Sequence, residues 1–131
     1  MTKDEILVME AGPELNALIA QDVMGWQKDG TYRLGPAWVK KTIWRYKDGR
    51  TVDNIWTLAT YVNNWLPSTN IATAWKVLER LMDYWLPSVF HDGQLWVCEL
   101  NNLQRKVVAS AIIAPHAVSI AALFTVMEVK E

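Results

Sequence analysis

A single cysteine, Cys98, stands in a chain of 131 residues. It excludes an internal disulfide and leaves no cysteine pattern for a metal, so a reducing cytosol is expected. An excess of charge of one sign is also missing. Thirteen Lys and Arg oppose fourteen Asp and Glu, a formal charge of −1, which argues against a globally basic nucleic-acid binder. The opening "MTKDEILVMEAGPELN" lacks the apolar core and small-residue cleavage site of a signal peptide, so no secretion is expected. No P-loop, Gly-rich dinucleotide fingerprint, nucleophile elbow or zinc-protease motif occurs. Catalytic residues, metal ligands and cofactors are therefore all expected to be absent, and the protein is read as not an enzyme.

What is there suits one globular domain over residues 1–131: 51% of residues are apolar and 21% charged, far from the composition of a disordered chain. Charge is unevenly spread. Residues 1–27 carry a net −4 and residues 28–50 a net +5, with seven of the thirteen basic side chains in that one segment. A nearly neutral chain can thus present a cationic face.

The longest uncharged run is "VVASAIIAPHAVSIAALFTVM", Val107 to Met127, long enough on paper to span a bilayer. Pro115 lies near its middle, where a helix interior tolerates proline at a cost of about 3 kcal/mol. Before it, Val107, Val108, Ile112 and Ile113 are β-branched and favour a strand. After it, an alanine-rich stretch with proline in the first turn favours a helix. A buried strand joined to a core-facing helix accounts for the run, and no membrane segment is expected.

Elsewhere the periodicity is clear. Thr2 and Glu5 have capping-box spacing, which predicts a short helical turn over 3–9. Pro13 and Glu14 open a helix whose stripe is Leu15, Leu18, Ile19 and Val23, with Gly25 as its stop. Ser68, Thr69 and Asn70 are three candidate caps for a helix whose predicted inner face is Ile71, Ala74, Trp75, Leu78, Leu81, Met82 and Trp85. Lys76, Glu79, Arg80 and Asp83 lie opposite. "WVKKTIWRYKDGRTV" reads as a strand turning at Asp48-Gly49, with "TYRLG" as its hairpin partner. "IWTLATYVNNW" fits strand or helix. "SVFHDGQLWVCEL" reads as a hairpin about Asp92-Gly93, Asn101-Asn102 as the next turn, and "RKVVASAI" as a further strand. This order suits an α+β fold, a three-layer alpha/beta/alpha sandwich with a mostly antiparallel sheet.

Three motifs, "MEAGPELNALIAQDVMGW", "PSTNIATAWKVLERL" and "APHAVSIAALF", together resemble the phage ABA sandwich domain, found in small proteins of phages and prophages. The resemblance covers roughly residues 6–26, 64–82 and 110–126, and it implies the same alpha/beta/alpha layering. The stretch 27–63 is more divergent and reads as an aromatic and basic insertion. The family pattern usually has Asp where this chain has Asn70, and Thr where it has Ile113. Asn70 remains a competent helix cap and Ile113 does not. The resemblance carries no catalytic residues across.

Of the polar singletons, His91-Asp92 in a tight turn reads as solvated rather than as an acid/base pair, His116 stands at a helix start, and Cys98 beside Trp96 reads as a small buried hydrophobe. The unusual feature is eight tryptophans, several times a typical share. Trp26, Trp75, Trp85 and Trp96 are expected in the core. Trp38, Trp44, Trp56 and Trp65 fall in or beside the basic segment. If 38–46 is one strand, Trp38, Lys40, Thr42, Trp44 and Tyr46 share a face, and Val39, Lys41, Ile43 and Arg45 share the other.

That mixture has two readings. Rings cover the sheet while lysine stems lie over them, or rings and cations bind a base and its phosphate. The "PSTN" helix start offers backbone N–H groups and hydroxyls, as a plain cap or as an anion site. The candidate ligand-binding residues are Trp38, Lys40, Trp44, Arg45, Trp65, Ser68, Thr69 and Asn70. The expected function is a non-catalytic, phage-encoded binding protein, a sponge for a nucleotide-type signal of host antiphage defence. The alternative is an inhibitor or adaptor that binds a host defence protein through an exposed aromatic surface. Its partners are then a small anionic nucleotide-like ligand or a host protein, with neither nucleic acid nor membrane. A homo-oligomer is expected from the amount of apolar surface to be covered.

Overall fold

The structure is a computed structural model that describes residues 2–33, 40–46 and 65–127, with only the backbone for 28–33 and 40–44. Helix α1 (Lys3–Leu7) starts on the expected capping box: the Glu5 N–H donates to the Thr2 hydroxyl, and the Glu5 carboxylate accepts from the Thr2 N–H. Helix α2 (Pro13–Leu18) runs into a π-helical segment, Ile19–Val23. Leu15, Ile19 and Val23 of the expected stripe are buried. Gly25, at φ 74°, ends it, as only glycine adopts that backbone cheaply.

Strands β1 (Gln27–Arg33) and β2 (Lys40–Arg45) form an antiparallel pair with an irregularity between Lys28 and Thr31. The expected pairing of "TYR" with the basic strand is present: Thr31 faces Thr42, Tyr32 faces Lys41 and Arg33 faces Lys40. The turn expected at Asp48-Gly49 and most of the ambiguous "IWTLATYVNNW" segment lie outside the described residues.

Helix α3 (Ile71–Leu81) is capped by Asn70, whose side chain accepts from the Thr73 N–H at 3.0 Å. Its polar face is exposed as expected. Its core face is rolled relative to the expected one: Thr73, Ala74, Val77, Leu78 and Leu81 are buried, while Ile71, Trp75 and Met82 are exposed. The reason lies in the neighbour. Helix α4 (Ala114–Val126) meets α3 and buries many small residues, among them Ala117, Ser119, Ala121 and Ala122. Small side chains on both helices permit close approach, which a tryptophan in the seam would prevent.

Strands β3 (Leu86–His91), β4 (Trp96–Asn101) and β5 (Lys106–Ala111) form a second, antiparallel sheet in the order β3-β4-β5. Its first turn is built by Asp92, whose carboxylate accepts from the Gln94 and Leu95 N–H groups at 2.8 Å, with Gly93 at φ 103°. Asn102 repeats the arrangement at the second turn, accepting from Gln104 and Arg105. The inner face carries Val89, Cys98, Leu100, Val107, Ala109 and Ala111 against the core. On the opposite face Leu86, Phe90 and Val108 are exposed. Trp96 is also exposed, contrary to expectation, and meets His91 edge-on at 5.3 Å.

The uncharged run resolves as expected into β5 and α4, broken at Ile112-Ile113. Among the described residues no helix is long and apolar enough to cross a membrane. Helix α4 is buried on nearly every side because it packs on β3, β4 and β5 and also against α1, α2, the π segment and α3. At its C-terminal end the Arg105 guanidinium donates to the Phe124 and Thr125 carbonyls at 3.1 and 3.4 Å and lies 5.7 Å over the Trp85 ring. A cation at that end complements the helix dipole and satisfies carbonyls that have no partner within the helix.

Candidate aromatic and cationic site

Tyr46, the residue that follows strand β2, lies at the edge of an aromatic cluster. Tyr46 meets Trp26 edge-on with centroids 6.2 Å apart, and Trp26 lies 4.4 Å from Trp65 at a tilt of 58°. Trp26 and Trp65 are buried; Arg45 and Tyr46 are half-buried. Trp26 comes from the exit of the π segment, Trp65 from the approach to α3, and Tyr46 from the end of β2. Three separate parts of the chain thus converge on one point.

Trp65 is held there by its indole N–H, which donates to the Asn16 carbonyl at 2.8 Å. The Asn16 side chain in turn accepts from the Ser68 N–H at 2.9 Å and the Ser68 hydroxyl at 2.6 Å. That hydroxyl accepts from the Gly12 N–H at 2.9 Å. Asn16 and Ser68 are buried polar residues, so this network satisfies groups that would be costly to leave unpaired. It clamps the start of α2 to the approach of α3.

The eight sequence-derived candidates therefore separate. Trp65 belongs to the aromatic cluster, whereas Arg45 is half-buried at the end of β2, next in sequence to Tyr46. Ser68 is fully buried and engaged with Gly12 and Asn16, while Asn70 caps α3. The Ser68, Thr69 and Asn70 N–H groups donate to Asn16, Leu66 and Leu66 respectively. Thr69 has an exposed side chain. Lys40 and Trp44 lie on β2 with the backbone alone described, and Trp38 lies outside the described residues. Sequence reasoning missed Trp26 and Tyr46 as members of the cluster, and Asn16 as its anchor. Tyr46 was legible as the next residue on the Trp44 face, whereas an asparagine inside a helix carries no local signal of a partner 52 residues away.

The remaining polar groups are quiet. Burial, and then the neighbouring Glu99 carboxylate, push the Cys98 thiol up to about 12, so at neutral pH it is a protonated, poorly nucleophilic thiol. Asp92 is held below the ordinary carboxylate value by the Leu95 and Gln94 N–H groups, and to a lesser degree by His91. The His91 Nδ1 accepts from the Gly93 N–H at 3.1 Å, and the His116 ring lies 2.9 Å from the Met9 carbonyl. Among the described residues no group of three or more His, Cys, Asp or Glu side chains is placed to hold a metal. The described hollows are open: one of about 460 Å³ is lined by Ile6, Leu18, Gln21, Asp22 and Leu123, between α1, the π segment and α4.

Two comparisons bear on this architecture. A family model, the phage ABA sandwich domain, matches residues 17–123. The 2.0 Å crystal structure of a phage protein from Bacillus cereus ATCC 14579 superposes with a TM-score of 0.55 at 24% identity, over 88% of this chain and 91% of that one. At that identity it speaks for the fold alone. No curated protein matches the chain.

Proposed function

Because the chain belongs to the phage ABA sandwich domain family, we propose that it is a phage-encoded binding protein without catalytic activity, acting in the host cytosol. Its sharper form is a sponge that sequesters a nucleotide-type signal of host antiphage defence. The observation that carries it is the Tyr46–Trp26–Trp65 ring cluster, which lies at the end of the basic strand. A half-buried ring there would offer a base a stacking face, and the cations of the basic strand would offer its phosphate a charge. Trp65 and Ser68 support such a site from behind: one is a buried wall, the other part of the clamp that fixes it. The three-layer alpha/beta/alpha arrangement belongs to the same reading, with the aromatic and basic 27–63 segment as an insertion that diverges from the family pattern.

Native mass spectrometry of protein purified from cells with active defence signalling tests this directly. A stoichiometric nucleotide released on denaturation, and lost in Arg45→Ala with an unchanged circular dichroism spectrum, is the expected result. Protein that comes out empty under those conditions overturns the sponge.

A second reading has its own observation. The outer face of the β3-β4-β5 sheet exposes Leu86, Phe90 and Val108, an apolar surface suited to a protein partner. An inhibitor or adaptor of a host defence protein would use it, and Phe90→Asp would then abolish capture of that protein while small-ligand binding persists.

A further inference from the structure

Strand β1 does not alternate simply. Asp29 and Gly30 stand where the partner strand has only Ile43, so Lys28 is level with Trp44, Thr31 with Thr42 and Arg33 with Lys40. Unbroken alternation over 27–33 would set Lys28 on the side opposite Thr31 and Arg33. The bulge keeps all three on one side, a use that bulges have beside binding sites. Residues level with each other in an antiparallel pair share a face. One face of the ribbon therefore runs, from the Tyr46 end outward, through Lys28 and Trp44, then Thr31 and Thr42, then Arg33 and Lys40. None of the six is acidic; the one carboxylate in either strand is Asp29, in the bulge. Two cations directly opposite each other destabilise a strand pair, and Arg33 and Lys40 are so placed. An anion between them replaces that repulsion with charge-assisted contacts. Trp44 lies about 13 Å along the strand from Lys40.

We infer that this face binds a nucleoside carrying a chain of two or more phosphates. The base lies at the Lys28–Trp44 pair, nearest the Tyr46–Trp26–Trp65 cluster, and the end of the phosphate chain lies between Arg33 and Lys40. This rests on the nucleotide-binding reading above and names the ligand's class and direction. A single phosphate stays beside its own sugar and base, whereas a chain of them extends to the far pair. Thr31 and Thr42 stand midway, level with the sugar and the first phosphate. A nucleic-acid strand fits less well, because it continues past the ribbon. A formal −1 for the whole chain, with +5 over residues 28–50, leaves −6 on the rest, and that field repels a long polyanion.

Isothermal titration calorimetry of the full chain with adenosine and its mono-, di- and triphosphates tests it, adenine serving as the probe base. Wild-type affinity is expected to rise with each phosphate, about tenfold from mono- to triphosphate. Arg33→Gln and Lys40→Gln should each weaken the triphosphate about tenfold and leave the monophosphate unchanged. Lys41→Gln, on the other face, should change neither. Trp44→Ala should weaken every member of the series about tenfold, with circular dichroism showing that each variant is folded. Equal wild-type affinity along the series overturns the inference. So does an equal loss in Lys41→Gln, or tighter binding of an oligothymidylate that falls steeply with salt. Absence of binding by every probe overturns it too, yet leaves the sponge standing if protein from cells still releases a nucleotide. Protein that is empty from cells but grades the phosphates as expected has the opposite meaning: the sponge falls and this face stands.

Discussion

At the scale of single residues, two buried groups have opposite fates. Ser119 sits fully buried in α4, and its hydroxyl has no hydrogen-bond partner among the described residues. Removing an unsatisfied buried hydroxyl relieves about 1 kcal/mol or more, so Ser119→Ala should raise the denaturant midpoint with the slope unchanged. Cys98 is buried and satisfied as a hydrophobe, with its thiol pushed up to about 12. Its reaction with an aromatic disulfide at mild alkaline pH should therefore track the unfolded fraction in denaturant rather than the native concentration. Asp92 gives the pH dependence. Its carboxyl is held below the ordinary value of 3.8 by backbone donors. It thus contributes stability above that value and loses it as pH falls through the depressed one. The Gln94 and Leu95 amide signals should shift together over that acid range, and Asp92→Asn, which keeps an acceptor but no charge, should abolish the shift.

Among the elements, the two long helices contrast at their starts. Asn70 caps α3 through the Thr73 N–H, whereas Ile113 stands at the cap position of α4 in extended backbone, φ −120° and ψ 147°, and offers nothing. Asn70→Ala should cost about 1 kcal/mol and Ile113→Asp should gain a similar amount in thermal unfolding. The aspartate can bond only the His116 N–H, because Pro115 has no donor to give. Both helix starts were legible in the sequence, since cap residues and proline act locally. So were the three strands of the second sheet, through Asp92-Gly93, Asn101-Asn102 and alternating burial. The roll of α3 was not. Periodicity set Ile71, Trp75 and Met82 on the apolar side, but which part of a wide apolar arc is covered depends on the shape of the neighbouring helix, and that is a tertiary fact.

For the molecule as a whole, the joint between α2 and α3 is the feature least visible beforehand. Asn16→Ala would leave the Ser68 N–H and the Ser68 hydroxyl without their shared buried acceptor, and should cost about 1–3 kcal/mol in urea unfolding. Trp65→Ala, which empties a buried wall, should cost about 3–5 kcal/mol. The candidate site was legible as a composition of rings and cations; its assembly was not, because Trp26, Tyr46 and Trp65 meet only through long-range packing. Helix α4 sets a further condition. Every element it packs against precedes it in the chain: α1, α2, the π segment, α3 and the strands β3 to β5. A ribosome adds about 5–20 residues per second, so for several seconds the nascent chain displays Leu15, Ile19, Val77 and Leu100 with no α4 to cover them. The protein therefore folds around a late keystone, and its yield in a cell depends on what shields those surfaces while the keystone is still being made.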